Sequence, residues 1–291
     1  VDERNVSSSS GFFKSTPNDS ASSTSKPAST LKSIASTVKT STQNINLNVN
    51  LNAVKSGASS IWNKVKATAA QLQHQATLAS TDAATAKLAN EMLALLAKDV
   101  NTPYSDNIPF HLQLLQRLWE VQFPGHGPFE RLSPTWKLAG WQKDDPVADL
   151  KNSGLLALHS LIYLGETYPA AAQQMLINHQ ANKKNNYPFA IVGVNLTLLL
   201  AELFKLRDPQ LSSSREPFGA LFADLNAFSE VFCICFLHVD ATWTQQNAVR
   251  TDFGKIIGEL KACLQAVLAR GPRSLEDFKH IAAGEGMNLL L

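Results

Sequence analysis

Three acids, a proline and two lysines crowd the stretch WQKDDPVADLKNSG, residues 141–154, midway along a chain of 291 residues. Carboxylates spaced like Asp144, Asp145 and Asp149 could serve a hydrolase, or they could cap a helix whose first residue is Pro146. Acids in a first turn meet orphan N–H groups and the positive end of the helix dipole. Neither Asp145 nor Asp149 has a nucleophile or base beside it in sequence, so capping is the leading reading. Lys151 fits a helix start less well, because a cation in the first turns opposes the dipole. It reads as the ion-pair partner of Asp145, Asp149 or a loop acid, or as a charge presented to an anionic partner surface.

Other chemistry is sparse. The chain has no Gly-rich phosphate loop, no nucleophile elbow and no His-Glu-x-x-His pair. Its seven histidines are scattered, and His159, on the helix beyond Lys151, reads as a packed or rim residue rather than a base. Cys233, Cys235 and Cys263 are odd in number and lie in apolar runs, which suits buried free thiols in a reducing compartment. Cys233 and Cys235 point to opposite sides of a helix, and no Cys or His cluster completes a zinc site. No metal and no cofactor are expected. A net charge of +2, with no long basic stripe, argues against nucleic acid as the main partner.

The elements that would carry these residues are helices. Residues 1–53 are rich in Ser, Thr, Asn and Lys and too poor in apolar residues to bury surface, so a disordered arm is expected. Within it, NINLNVNLNAV alternates like a marginal strand. Residues 54–100 read as amphipathic helices. In the first, Ile61, Trp62 and Val65 share a face opposite Ser, Thr and Gly, a pattern suited to loosely packed membrane surfaces. The alternative is a helix that packs on the domain. The second is DAATAKLANEMLALLAKDV, with Leu88, Met92, Leu95 and Leu96 at helical spacing.

From 101 to 275 the sequence predicts one compact all-α domain, followed by a tail at 276–291. Pro109 opens a helix bearing Leu114, Leu115, Leu118 and Phe123. After a Pro/Gly loop, a helix capped by Asp145 carries Leu150, Leu155, Leu158, Leu161 and Ile162 inward. YPFAIVGVNLTLLLAELFKL is apolar nearly all round and predicts a central buried helix. Two more helices follow, and Gly271-Pro272 stops the second. No run of ~18 apolar residues predicts a membrane span. The chain opens without an initiator Met or a secretory core, as a fragment or edited start would. The sequons at Asn5, Asn18 and Asn195 read as chance matches. The expected location is cytoplasmic, with peripheral membrane contact through residues 54–75.

Trp136, Gly140, Trp141-Gln142, Asp145-Pro146, Asp149 and the run from Gly154 to Tyr163 resemble the signature of the ELMO (engulfment and cell motility) domain. YPFAIVGVNLT, Tyr187 to Thr197, resembles that domain's second block, and the Leu115-Leu118-Trp119 helix resembles its start. The resemblance implies an all-α fold and regulation of small GTPases. One branch of the family accelerates GTP hydrolysis on Arf-family and Arf-like GTPases with an arginine that follows an Asp-Phe pair. Another branch lacks that activity and acts as a scaffold with DOCK-type exchange factors that activate Rac. Here the matching residues are Asp149, Leu150 and Lys151, so lysine stands at the arginine's position. Lys143, Asn152 and Ser153 also depart from the family pattern.

Lysine keeps the charge but offers a point donor on a flexible stem, where arginine offers a planar fork. The reading is therefore an adaptor or weak activator that adds at most GTPase activation and no catalytic chemistry of its own. Its contact residues would be Trp141, Gln142, Asp145, Asp149, Lys151 and Asn152. Arg131, in the preceding loop, is a possible substitute donor. The rival readings are a partner of a DOCK-type exchange factor and a membrane-tethered adaptor using Ile61, Trp62 and Val65.

Overall fold

The computed structural model describes residues 82–181 and 184–287. The arm at 1–53 and the 54–75 stretch with Ile61, Trp62 and Val65 lie outside the described residues. The elements are all helical, with no strand among the described residues. Helix α1 spans Asp82–Asn101, α2 Pro109–Gln122, α3 Gly154–Thr167, α4 Pro169–Ala181 and α5 Phe189–Leu203. Helices α6 (Ala227–Gln245), α7 (Phe253–Ala269) and α8 (Leu275–Gly284) follow. Short 3-10 turns at Pro134–Ala139, Pro146–Asp149 and Gly219–Ala223 join them.

Three apolar helices form the centre. Helix α3 packs against α1, α2, α4, α5 and α6, and burying so many sides requires the near-continuous apolar run from Leu155 to Leu158. Helix α5 buries Val192, Val194, Leu196 and Leu200, as its sequence predicts. In α6 every residue from Val231 to Phe236 is fully buried, including Cys233 and Cys235. Burial pushes both thiols well above their usual range, so they act as small apolar groups.

The packed body reaches beyond 101–275 at both ends. Helix α1 buries Leu88, Ala89, Leu93 and Val100 in the same core. It also holds the 213–219 loop, where Asn90 Oδ1 accepts from Ser213 N at 2.7 Å. Helix α8 is no loose tail: Phe278 and Ala282 are fully buried. Ser274 caps it by accepting from Asp277 N at 3.1 Å, a cap that helps a helix of only 10 residues form.

The largest local difference from the sequence reading lies at residues 145–154, where two elements replace one helix. Asp145 caps the 3-10 turn, as expected, but that turn closes at Leu150, whose N–H donates to Val147 O at 3.1 Å. The chain then reverses at Gly154, with φ of +57°. A Cβ there would lie 2.4 Å from Asp99 O and 2.7 Å from Val100 O. Only glycine meets both the left-handed backbone and the contact. Gly154→Ala is expected to destabilise the domain by about 1–3 kcal/mol, measured by urea unfolding; an unchanged midpoint would refute the contact.

His111 is 4% exposed, and its Nδ1 accepts from Ser105 N at 3.0 Å. Burial pushes its pKa below the usual range, and the charge of His159 adds to the effect. Burial also lowers that of His238. Both rings are therefore held neutral in the fold, while the unfolded chain takes up protons near pH ~6.5. Their stability contribution is present above that value and lost as pH falls through the depressed folded pKa values. The melting temperature should fall between pH 7 and pH 5. His111→Asn, whose amide oxygen can replace Nδ1 as acceptor, should flatten that fall.

Candidate functional site

The site begins with buried tryptophans that hold its frame. Trp136 is fully buried and donates from Nε1 to Glu130 O at 3.1 Å. Its ring meets those of Trp119, Phe123 and Trp141 edge to face, the indole centroids of Trp119 and Trp141 lying 5.1 and 6.2 Å away. Trp141 is 3% exposed and gives its Nε1 proton to Gln122 Oε1 at 3.0 Å. Trp141, a candidate partner contact in the sequence, thus lies within the packed frame. An indole ring set in this cluster buries more apolar area than a surface site would allow, and its one polar atom is already satisfied. Gly140, with φ of +85°, lets this frame close on α5: a Cβ there would lie 2.7 Å from Pro188 and Phe189 backbone atoms.

From this frame the chain runs outward through Gln142 and Lys143. The two carboxylates proposed as contacts then act as ties. Asp149 Oδ2 accepts from Gln142 N at 2.9 Å, closing the 142–149 loop. Asp145 Oδ1 accepts from Val147 N at 2.9 Å and from Arg131 Nη1 at 2.7 Å. Neither carboxylate is poised as a hydrolytic base, since each is occupied by the backbone it holds.

Arg131 is equally committed. Its Nε donates to Asp106 Oδ1 at 2.8 Å, and its guanidinium lies over the Tyr104 ring, 5.5 Å from the centroid. Burial alone would lower the guanidinium pKa, but hydrogen bonds to Asp106 and Asp145 outweigh it, and the net direction is up. The Arg131 bond in turn holds the Asp106 carboxyl below its usual range. Burial, with Asp106 beside it, pushes the Tyr104 hydroxyl up to about 12. An arginine pinned by two acids and a ring is a strut between the 104–106 loop and the 145–149 turn. It does not stand free to replace Lys151.

Lys151 sits in the turn between the 3-10 segment and α3, exposed, with no hydrogen bond or ion pair among the described residues. It follows the C-terminal end of the 3-10 turn and lies ahead of Ser153, the N-cap of α3, so it is outside that helix's first turn, where the dipole's effect falls off. The turn itself is tied by hydrogen bonds. Ser153 is fully buried and donates from Oγ to Leu150 O at 3.2 Å. The Asn152 carbonyl accepts from Arg207 Nη2, contributed by the segment after α5. Gln142, Asp145, Asp149, Lys151 and Asn152 thus share one surface segment, and Trp141 lies beneath it. Arg207 was not evident in the sequence as part of this site. Following α5 in LFKLRDP, it reads locally as a cation at a helix C-terminus.

Beside Gln142 a shallow groove of about 330 Å³ runs past Trp141, Pro188 and Ile191 between Lys137 and Arg250. Among the described residues no three His, Cys, Asp or Glu gather as metal ligands would. No described helix is long and apolar enough to cross a membrane.

An all-α domain with this tryptophan frame and this outward turn is that of an ELMO-type protein. The ELMO/CED-12 family matches residues 94–257, more than half of the chain, and the chain belongs to that family. It is 31% identical over 189 residues to ankyrin repeat and ELMO domain-containing protein D of Dictyostelium discoideum. That match covers 64% of this chain and 15% of the relative. ELMO domain-containing protein C of the same organism is 27% identical over 201 residues, covering 65% of this chain and 32% of its own length. Human engulfment and cell motility protein 3 is 28% identical over 202 residues, covering 65% and 28%. The chain therefore spans less than a third of each of these relatives.

Asp145→Asn would remove one charge from the Arg131 strut and weaken the cap on Val147. It is expected to cost about 1–2 kcal/mol by chemical denaturation. Arg131→Lys, which keeps charge but cannot span two acids, should cost a similar amount. If either is neutral, the strut carries no stability.

Proposed function

We propose that this chain is a regulator of small GTPases, an adaptor or weak activator that binds an Arf-family or Arf-like GTPase through the surface around Lys151. The observation that carries the reading is the state of that side chain. It is exposed and unpaired among the described residues, on a turn tied by the Asp149 carboxylate on one side and by Arg207 on the other. A cation raised on a rigid support costs little to bring to an anionic partner. Its position in the ELMO-type block matches that of the activating arginine, so binding is expected to survive with most of the rate acceleration lost. An arginine's fork can bond phosphoryl and leaving-group oxygens together, a contribution of ~10³–10⁵ in rate, whereas an ammonium is a point charge.

A second reading, a scaffold beside a DOCK-type exchange factor in a Rac pathway, is favoured by the similarity to engulfment and cell motility protein 3. A cytoplasmic site of action with peripheral membrane contact through residues 54–75 rests on the sequence pattern at Ile61, Trp62 and Val65.

Pull-down against small GTPases loaded with GDP or a GTP analogue tests the proposal. Lys151→Glu should weaken the cognate complex by roughly tenfold, or about 1.4 kcal/mol. Lys151→Ala should leave stability within about 0.5 kcal/mol of wild type, as at any exposed site. Lys151→Arg should raise GTP hydrolysis on the bound GTPase. Should Lys151→Glu change affinity for no GTPase that wild type binds, the interface lies elsewhere.

A further inference from the structure

Arg207 is separated from Asn152 by 55 positions in sequence, yet its Nη2 donates to the Asn152 carbonyl, the residue next to Lys151. Like Lys151 it is exposed. That one bond uses one of the five N–H donors of a guanidinium, and the others have no partner among the described residues. Among the described residues no acid pairs with it, and Glu202, earlier on the same segment, holds Lys261 at 2.7 Å. Asp208 Oδ1 accepts from Gln210 N at 2.8 Å, and Asp149 accepts from Gln142 N. Glu216 holds Lys205 at 2.8 Å. Two exposed cations thus flank Asn152, Lys151 beside it in sequence and Arg207 through its carbonyl, and one of them has the planar fork that the other lacks.

Arg207 is also steadied from behind. Leu206 is buried at 1% exposure, and its N–H donates to Ala201 O at 2.9 Å. The side chain is therefore presented from a fixed backbone, which lowers the entropy lost when it meets a ligand. We infer that Lys151 and Arg207 form a two-cation clamp for an oxyanion on the bound GTPase, with Arg207 supplying the bidentate donor. The inference rests on the GTPase-binding reading above and deepens it. A phosphate of the bound nucleotide and a carboxylate of the GTPase surface share the required chemistry, since both accept two parallel N–H bonds from one guanidinium.

The test uses the full chain and the GTPase selected by pull-down, loaded in turn with GDP, a non-hydrolysable GTP analogue, and GDP with aluminium fluoride. Arg207→Ala and Arg207→Lys are compared, with melting temperature as the control for folding. The lysine variant keeps a charge and one N–H for the Asn152 carbonyl but removes the fork. Both variants should bind at least tenfold more weakly. Loss confined to the GTP-analogue or aluminium fluoride states assigns the oxyanion to the phosphoryl group; equal loss in all three assigns it to a carboxylate.

Wild-type affinity in both variants overturns the clamp. So does a defect in Arg207→Ala that Arg207→Lys restores, because Arg207 then only positions the turn. If Lys151→Glu weakens binding while both Arg207 variants do not, the clamp fails and the GTPase surface stands. A chain that binds no GTPase in any state overturns both.

Discussion

Helix α3 starts where its backbone presses against the carbonyl groups of Asp99, Val100 and Thr102 at the end of α1. Thr102 O accepts from Leu155 N at 3.1 Å, so an orphan N–H of α3 is satisfied by the neighbouring segment rather than by a side-chain cap. The contact requires a residue without a Cβ and with positive φ, and Gly154 meets both conditions. Everything on the functional side follows from it. The chain must arrive at Gly154 by a tight turn, and that turn places Lys151 and Asn152 outside while Leu150 and Ser153 go in.

Around this contact the charged groups divide by role. Asp145, Asp149 and Arg131 hold backbone or one another, and their value is geometric: they keep the 142–152 segment in one shape. Arg131 exchanges water for two carboxylates and a tyrosine ring, so its charge is largely cancelled where it sits. Neither Lys151 nor Arg207 forms an ion pair among the described residues. A surface that carries a partner's anion needs both classes, because uncompensated cations on a flexible loop would lose entropy on binding that the contact must offset.

On the proposed reading, lysine at 151 would change what that surface does to a bound GTPase more than whether it binds one. Charge attraction survives the exchange of guanidinium for ammonium, and two parallel hydrogen bonds do not. Arg207 bears on the same point, since its guanidinium reaches the Asn152 carbonyl next to Lys151. The aromatic frame beneath is independent of either cation. Trp136 packs on Trp119, Phe123 and Trp141, and Trp119 on Phe123, so the scaffold persists whichever charges the surface carries.

Helix class, the apolar stripes at Leu114–Leu118 and Leu155–Ile162, the buried α5 and the Asp145 cap were legible in the sequence, because each depends on residues within a turn or two of one another. The family signature was legible for the same reason, as two compact blocks in order. The burial of Trp141 was not legible, because a signature residue can be kept for packing as easily as for contact, and only its neighbours across the fold distinguish the two. The inclusion of α1 and α8 in the core was likewise invisible locally, since an amphipathic stripe does not say what it packs against. Lys151 was found by its departure from a pattern, but its freedom from ion pairs was decided by where Asp145 and Asp149 turned. Arg207 reaches the Asn152 carbonyl, beside Lys151, only because α3 and α5 pack side by side. Local chemistry determines which residues can form a helix or cap it; long-range packing decides which charges are left without a partner.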